Sequence, residues 1–307
     1  TGVFDTLSPG SNPGGTTNFR GDRAVTEEEQ KTARLAGVRK IIVHGGLAHM
    51  DDIMSCAMAY AFGVPHDAVI ERRNPKPADL DDLSTLVLDV GGRLDPGHLD
   101  FDHHQRAREE EPKCAFRLFA EWLGVDEEMR TLYPWYTAWN LMDVCGPFNT
   151  AKAMGTTADA LAGFIDNPLA DWVIRRFADD PTLRQKLTVT FANEMVLTRK
   201  CWREMGPKIT LREYAGLPVA DLTQCLTEEI SRCSNAWVAR NRPACLLMRD
   251  GRGEGYSLLR CNDDPRIDFS RCAGKPYTLF AHPGGFILKT RSKTDDLELI
   301  FSEARTS

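Results

Sequence analysis

Residues 38–62 read VRKIIVHGGLAHMDDIMSCAMAYAF, and this stretch decides the fold. Val38 to Val43 is a short, largely apolar run with three β-branched side chains in a row, the mark of a buried strand. His44-Gly45-Gly46 interrupts it. From Asp51 to Phe62, Ile53, Ala57, Tyr60 and Ala61 return to one helical face until Gly63 stops the pattern. Strand, polar loop and helix form the first unit of an α/β fold, and further runs at Ala68–Ile70 and Thr85–Val90 supply more strands of a parallel sheet.

Outward from this unit, the chain divides into three. Residues 1–36 are rich in Gly, Ser, Thr, Asn and Pro at their start, lack apolar periodicity, and are expected to form a flexible N-terminal tail. Residues 37–205 hold the parallel sheet and then helical patterns at 113–123, 126–144, 157–178 and 182–204. In the last of these, Leu187, Phe191, Met195, Thr198 and Trp202 keep one face, as a helical connector between domains would. Residues 206–307 predict a smaller α+β domain: a helix at 220–239, strands at 244–248 and 256–261 joined by the Gly-rich DGRGEG, strands at 277–281 and 286–290, and a closing helix from Thr294.

The 307 residues carry a formal charge of -6, with 42% hydrophobic and 27% charged residues, which excludes collagenous, coiled-coil and largely disordered chains. The longest apolar runs fall far short of the roughly 20 residues needed to cross a membrane, so no membrane partner is expected. Nine scattered cysteines, with no CxxC pair, point to reduced thiols and a cytoplasmic setting. The overall acidity provides no general attraction to nucleic acid. A polyanionic substrate would have to be met by bound metal or a local basic patch.

Polar residues at the carboxyl ends of parallel strands are where open α/β sheets bind ligands. Here those ends supply His44, His49, Asp51 and Asp52, then Asp89-Val90-Gly91-Gly92, then Asp100-Phe101-Asp102-His103-His104-Gln105. Each piece alone has an ordinary explanation. His44 could be a core-edge histidine, Asp51 and Asp52 could sit at a helix N-terminus where acids suit the dipole, and Asp89 could be a turn acid. Together, imidazoles and carboxylates suit a dinuclear site for Mn, Mg or similar ions.

The runs HGGLAHMDD from His44, LVLDVGG through Asp89, DFDHHQ through Gln105, YTAWNLMD ending at Asp143, and FAHPGGFILKT near the C-terminus resemble the DHH phosphoesterase superfamily. Within it they are most similar to the melanocyte-proliferating-gene type of 3'-to-5' RNA exonuclease. The resemblance implies a parallel-sheet DHH domain in which His44, His49 and Asp89 hold one divalent ion and Asp51, Asp89, His103 and Asp143 the other, with Mn favoured and Mg allowed. It implies that Asp102 orients His103 and that His104 faces the scissile phosphate. On the C-terminal domain it implies a substrate grip by His282, Gly284, Gly285, Lys289 and Arg291, although Leu288-Lys289 stand where relatives often have two glycines.

The expected partner is single-stranded nucleic acid or an oligonucleotide, and nothing in the sequence opposes a homo-oligomer. A small-molecule phosphatase, pyrophosphatase or nucleotide phosphodiesterase would use the same centre, and a non-catalytic binding protein with a degenerate site is the reading from another class. Tyr133, Trp135, Tyr136 and Trp139 precede Asp143; they suit base stacking, but their helical spacing favours a core role for Trp135 and Trp139.

Overall fold

The computed structural model describes residues 26–107, 110–165 and 168–306. The chain opens with helix α1 (Glu27–Leu35), strand β1 (Lys40–Val43), helix α2 (Met50–Ala61), strand β2 (Val69–Arg72), a single turn α3 (Pro77–Leu80) and strand β3 (Thr85–Leu88). Two short strands, β4 (Leu94–Asp95) and β5 (Asp100–Phe101), complete a sheet of order β2-β1-β3-β5-β4. β1 is parallel to β2 and β3, and β3 is parallel to β5. Only the edge pair β4–β5 is antiparallel. The parallel arrangement expected from the sequence is therefore present, and β1 and β3 end side by side at His44 and Asp89.

The helices that follow are α4 (Ala115–Leu123), α5 (Asp126–Leu132), α6 (Trp135–Ala153), α7 (Ala158–Ile165), α8 (Pro168–Asp179) and α9 (Pro181–Met205). The single helix expected over 126–144 is instead two, broken at Tyr133-Pro134, because Pro134 has no N–H to extend α5. α6 also runs further than expected, bending at Gly146 (φ 73°, ψ 171°) before Pro147, immediately past Asp143. The pattern over 157–178 likewise divides into α7 and α8.

α2 is buried along nearly its whole length. Its small Ser55, Cys56, Ala57 and Ala59 let α9 and α4 pack closely on it. The buried face of α9 (Thr188, Ala192, Met195, Thr198, Cys201 and Met205) is offset by about one residue from the expected stripe, leaving Leu187, Phe191 and Trp202 half-buried. Ala192 and Thr188 are short enough to admit α2. Arg184, also buried, donates to the carbonyls of Phe177, Ile70 and Ala178. Its charge is thus satisfied by main-chain oxygens of two elements, α8 and β2.

The second sheet comprises β6 (Thr210–Tyr214), β7 (Leu217–Asp221), β8 (Cys245–Arg249), β9 (Tyr256–Arg260), β10 (Thr278–Ala281) and β11 (Ile287–Thr290), in the order β10-β11-β9-β8-β7-β6. Helix α10 (Thr227–Asn241) lies between β7 and β8 in sequence, and α11 (Leu297–Ala304) closes the chain. The helix expected at 220–239 therefore starts seven residues late, because Leu217–Asp221 pairs as a strand with β6 and β8. The β6 strand gave no sequence signal: its residues are mostly exposed and alternate poorly. Cys201 and Met205 at the end of α9 share an apolar cluster with Leu222, Cys233 and Leu246, so α9 contributes to cores on both sheets.

The flexible tail expected over residues 1–36 lies mostly outside the described residues. Residues 1–25 lie outside the described residues, but 27–35 form α1, held by a capping box in which the Thr26 hydroxyl accepts from the Glu29 N–H and the Glu29 carboxylate accepts from the Thr26 N–H. Leu35 is the apolar anchor, fully buried in the core of the first sheet. One anchor in nine residues leaves no periodicity to detect. All nine cysteines are unpaired. Among the described residues, no helix is long and apolar enough to cross a membrane.

Candidate metal centre

β1, the start of α2, the loop after β3, the loop after β5 and the middle of α6 deliver their polar side chains to one place. Asp89 lies at its centre, 1% exposed and with φ 59°, a left-handed conformation uncommon outside glycine, asparagine and aspartate. Its carboxylate stands 2.9 Å from His103 Nε2, 3.5 Å from His44 Nε2 and 3.8 Å from His104 Nδ1. Asp143, from α6, is 3.0 Å from His103 Nε2 and 3.6 Å from His49 Nδ1.

Ligand-type atoms of His44, His49 and Asp89 lie within 4.8 Å of one another, as do those of Asp51, Asp89, His103 and Asp143. Asp89 is common to both groups. Asp89, His103 and His104 form a third combination of the same kind. The six residues that the resemblance nominated as ligands are thus brought together in the two sets it implied, including Asp143, some 40 residues beyond His103 in sequence.

The surroundings fix these side chains. His44 Nδ1 lies 2.6 Å from the Gly45 carbonyl, which aims Nε2 toward Asp52 at 3.2 Å and Asp89. Asp52, fully buried, also accepts the His49 N–H at 2.9 Å. Asp51 accepts from the Ala115 N–H at 3.0 Å and the Phe116 N–H at 2.7 Å, so it ties the centre to the N-terminus of α4. Asn140, one helical turn before Asp143, accepts the Cys114 N–H and donates to the Pro112 carbonyl, holding the same segment from α6. Sequence reasoning passed over Asn140; its spacing of three from Asp143 on a helix was the available signal.

One expectation is corrected. Asp102 was expected behind His103, but its carboxylate instead contacts His104, with Oδ1 2.7 Å from Nδ1 and 3.0 Å from the His104 main-chain N–H. Its second oxygen accepts the Gly92 N–H at 2.6 Å, which locks it in place. The reason is local: the chain turns after Asp102, so the residue two positions on folds back over the carboxylate. With Nδ1 directed at Asp102, the largely exposed His104 ring presents Nε2 outward.

The electrostatics suit a cation. The ion pairs that the described residues make with Asp52, Asp89, Asp102 and Asp143 are all to imidazoles. The Asp52 carboxylate is the main influence holding the His44 imidazole up at about 9, against burial. Burial opposes protonation of His103, and contacts with Asp143 and Asp89 overcome it, raising it to about 10. Burial, with the neighbouring Asp89 and Asp143 charges, pushes Asp51 well above the ordinary carboxylate range. Burial also raises Asp89. Asp143 is held low despite burial, by His103 and His49. One His103 ring nitrogen faces two carboxylate oxygens at hydrogen-bond distance, yet neither it nor Asp89 Oδ1 has a well-directed hydrogen bond. The carboxylates favour positive charge at this spot, and imidazole nitrogens and carboxylate oxygens converging there without well-directed hydrogen bonds fit a divalent cation.

Two cavities open onto this cluster. One of about 610 Å³ is reached by His103, His104 and Asp143 and bears Arg106, Lys113 and Asn149; the other, about 310 Å³, is reached by His49, Asp51 and Asp143 and is walled largely by apolar side chains. Both volumes lie in the range of ligand pockets or at its lower end.

A family model described as an uncharacterised protein family (UPF0160), the MYG1 exonuclease model, matches residues 40–118, the segment that carries β1 through the start of α4 and every nominated ligand except Asp143. The family model's likeness to the MYG1 exonuclease family is confined to residues 40–118. The human MYG1 exonuclease is 35% identical over 89 residues, covering 28% of this chain and 23% of the human protein. The MYG1 protein of Chlamydia trachomatis is 34% identical over 68 residues, 22% of each chain. The MYG1-type segment thus spans less than a quarter of these relatives' length. Among solved structures, a pGpG-specific phosphodiesterase from Vibrio cholerae superposes with a TM-score of 0.30 at 14% identity, covering 86% of this chain and 98% of that one. RecJ of Thermus thermophilus in complex with Mn2+ gives 0.26 at 13%, covering 92% and 54%. Superpositions this loose fix neither fold nor chemistry.

The C-terminal residues nominated for substrate binding are tied up to different degrees. The Gly284 N–H donates to His282 Nδ1 at 3.0 Å and the Gly285 N–H to the His282 carbonyl at 2.8 Å, so both close the turn before β11. Gly285 has φ 69°, and a Cβ there would lie 2.1 Å from Asp268 Oδ1, which explains the glycine by packing alone. Lys289 forms a largely buried ion pair with Asp250. Arg291 is exposed, and among the described residues its recorded hydrogen bond is from its main-chain N–H to the Tyr277 carbonyl. Among the aromatics, Tyr136 is buried and donates to Asp126 at 2.6 Å, Trp135 stacks on Phe116, and Trp139 lines the smaller cavity.

Proposed function

We propose that this protein is a metal-dependent phosphodiesterase, a 3'-to-5' exonuclease acting on ends of single-stranded RNA or DNA or on short oligonucleotides. The observation that carries the reading is the pair of donor groups sharing Asp89, set beside a histidine that Asp102 holds at the mouth of an open cavity. His44, His49 and Asp89 would hold one divalent ion, and Asp51, Asp89, His103 and Asp143 the other, with Mn the preferred ion and Mg accepted. Such ions supply charge neutralisation for a phosphate and an activated water for in-line displacement.

This chain's own residues perform the remaining work. Asp102 fixes the His104 tautomer, with Nδ1–H toward the carboxylate, so Nε2 is free to contact a phosphate oxygen or to deliver a proton to the leaving oxygen. Asp51 keeps α4 and the centre in register through the Ala115 and Phe116 N–H groups. Arg106 and Lys113, on the wall of the larger cavity, are paired with Glu110 and Glu121 and would exchange those acids for phosphates of the substrate chain. The division of labour runs between residues 37–205, carrying the centre, and 206–307, carrying a substrate grip in which Arg291 is the exposed cation. Unpaired cysteines suit a reducing, cytoplasmic setting.

The test is product analysis of 5'-labelled single-stranded RNA after exhaustive chelation and re-addition of metal. Mn should restore stepwise shortening better than Ca, since three imidazoles favour a transition ion over a large, hard one. Cleavage that persists in protein shown by elemental analysis to be metal-free would refute the reading, and hydrolysis confined to small phosphate esters would move it to the small-molecule class.

A further inference from the structure

Asp143 lines both cavities, and the two differ in chemistry. The larger carries Arg106 and Lys113 beside Glu110 and Glu111, and each cation already faces an acid: Arg106 pairs with Glu110 at 2.6 Å, and Lys113 with Glu121 at 2.8 Å. The smaller has Met50, Trp139, Met142 and Ile174 as its apolar wall, the exposed Asp171 as its further polar group, and no lysine or arginine among its described lining residues. Asp171 is itself paired with Arg175 at 3.0 Å, and beyond His49 no basic side chain among the described lining residues is there to meet a phosphate. A flat, uncharged group would meet an indole and two thioethers, and hydroxyls beside it could donate to Asp171.

Trp139 is the informative residue. Its neighbours in sequence show what a core role looks like on α6: Tyr136 is 1% exposed, and Trp135 stacks on Phe116 with ring centroids 6.3 Å apart. Trp139 is only partly covered, and it stands one helical turn before Asp143 on the same helix, so its ring lies over the approach to the cluster. Trp135, equally half-buried, packs against the core of the first sheet, while Trp139 faces a cavity of about 310 Å³, room for one nucleoside rather than a chain.

We propose that the scissile phosphate is held between two chemically distinct subsites, with the terminal nucleoside seated in the smaller cavity, its base stacked on Trp139, and the phosphate-bearing remainder of the substrate in the larger one. The assignment rests on the phosphodiesterase reading and deepens it. Substrate selection at the cleaved end then depends on a π-face, is tolerant of base identity, and rejects an end that carries an additional phosphate.

The experiment compares a short RNA bearing a normal terminal nucleoside with the same RNA bearing an abasic residue at the attacked end, for the parent protein, Trp139→Ala and Trp139→Phe. Loss of base stacking should lower kcat/KM of Trp139→Ala on the normal substrate by about five- to a hundredfold. Activity on the abasic substrate should change by less than about twofold, and Trp139→Phe should recover most of the loss. Metal content and thermal unfolding of Trp139→Ala should match the parent, which separates substrate contact from damage to α6. Equal loss on both substrates, or no loss on either, would overturn the assignment while leaving the phosphodiesterase reading in place. A parent that cleaves neither substrate in Mn would overturn both.

Discussion

Replacing Asp89 by Asn isolates charge from shape. Asparagine is isosteric and is, with aspartate, among the few residues that accept a φ of 59°, so the turn after β3 should survive. The substitution leaves one oxygen to coordinate but removes a formal charge shared by both donor groups. Unit charges about 4 Å apart interact by about 4 kcal/mol at an effective dielectric of about 20, and a divalent ion feels at least that much. The expected loss of metal affinity is therefore on the order of a thousandfold. Asp52 is the control: it touches His44 and the His49 N–H without belonging to either donor group, and loss of such an outer contact typically costs about 10- to 100-fold. Equilibrium dialysis with elemental analysis, followed by kcat/KM on single-stranded RNA at saturating Mn, should rank Asp89→Asn at least tenfold below Asp52→Asn. Parent-like metal content and turnover in Asp89→Asn would refute the shared-ligand assignment.

Arg291→Ala should weaken oligonucleotide binding by about ten- to a hundredfold, from loss of a charge-assisted phosphate contact, with metal content unchanged. Lys289→Met, by contrast, strands the Asp250 carboxylate and should register in thermal unfolding before it registers in substrate affinity. Asp79 accepts from Arg73 at 2.8 and 3.1 Å, and this contact, with help from the Lys76 N–H and against some burial, holds its carboxyl below the usual range. A depressed folded value adds stability above the unfolded value near 3.8 and loses it as pH falls. Asp79→Asn should therefore cost about 1–2 kcal/mol in urea unfolding at pH 6. The gap should narrow below pH 4, and a pH-independent difference would contradict the ion-pair origin.

The parallel sheet and its ligand-bearing ends were legible because β1 and β3 are buried on both faces, which writes them as continuous apolar runs that stop at His44 and Asp89. α1 was illegible because a capping box and a single anchor, Leu35, sustain it. β6 was hidden by its exposed faces, and β7 was missed, its last two residues falling in the helix expected from 220, because five residues are too short a span to fix a period. At the site, residue identities were readable from spacing, but partners were not. Asp102 lies one residue from His103 and two from His104, and only the turn decides which imidazole it holds. The glycines at 284 and 285 show the reverse case: a motif that looks like an anion cradle spends both N–H groups on His282.

The most direct test of the account is the number of divalent ions bound per chain, read by titrating metal-free protein with Mn while following free Mn by electron paramagnetic resonance. Two shared-ligand sites predict saturation near two Mn per chain in the parent and a collapse of both in Asp89→Asn, since that carboxylate serves both groups. Saturation of the parent at fewer than one Mn per chain, or two undiminished sites in Asp89→Asn, would contradict it.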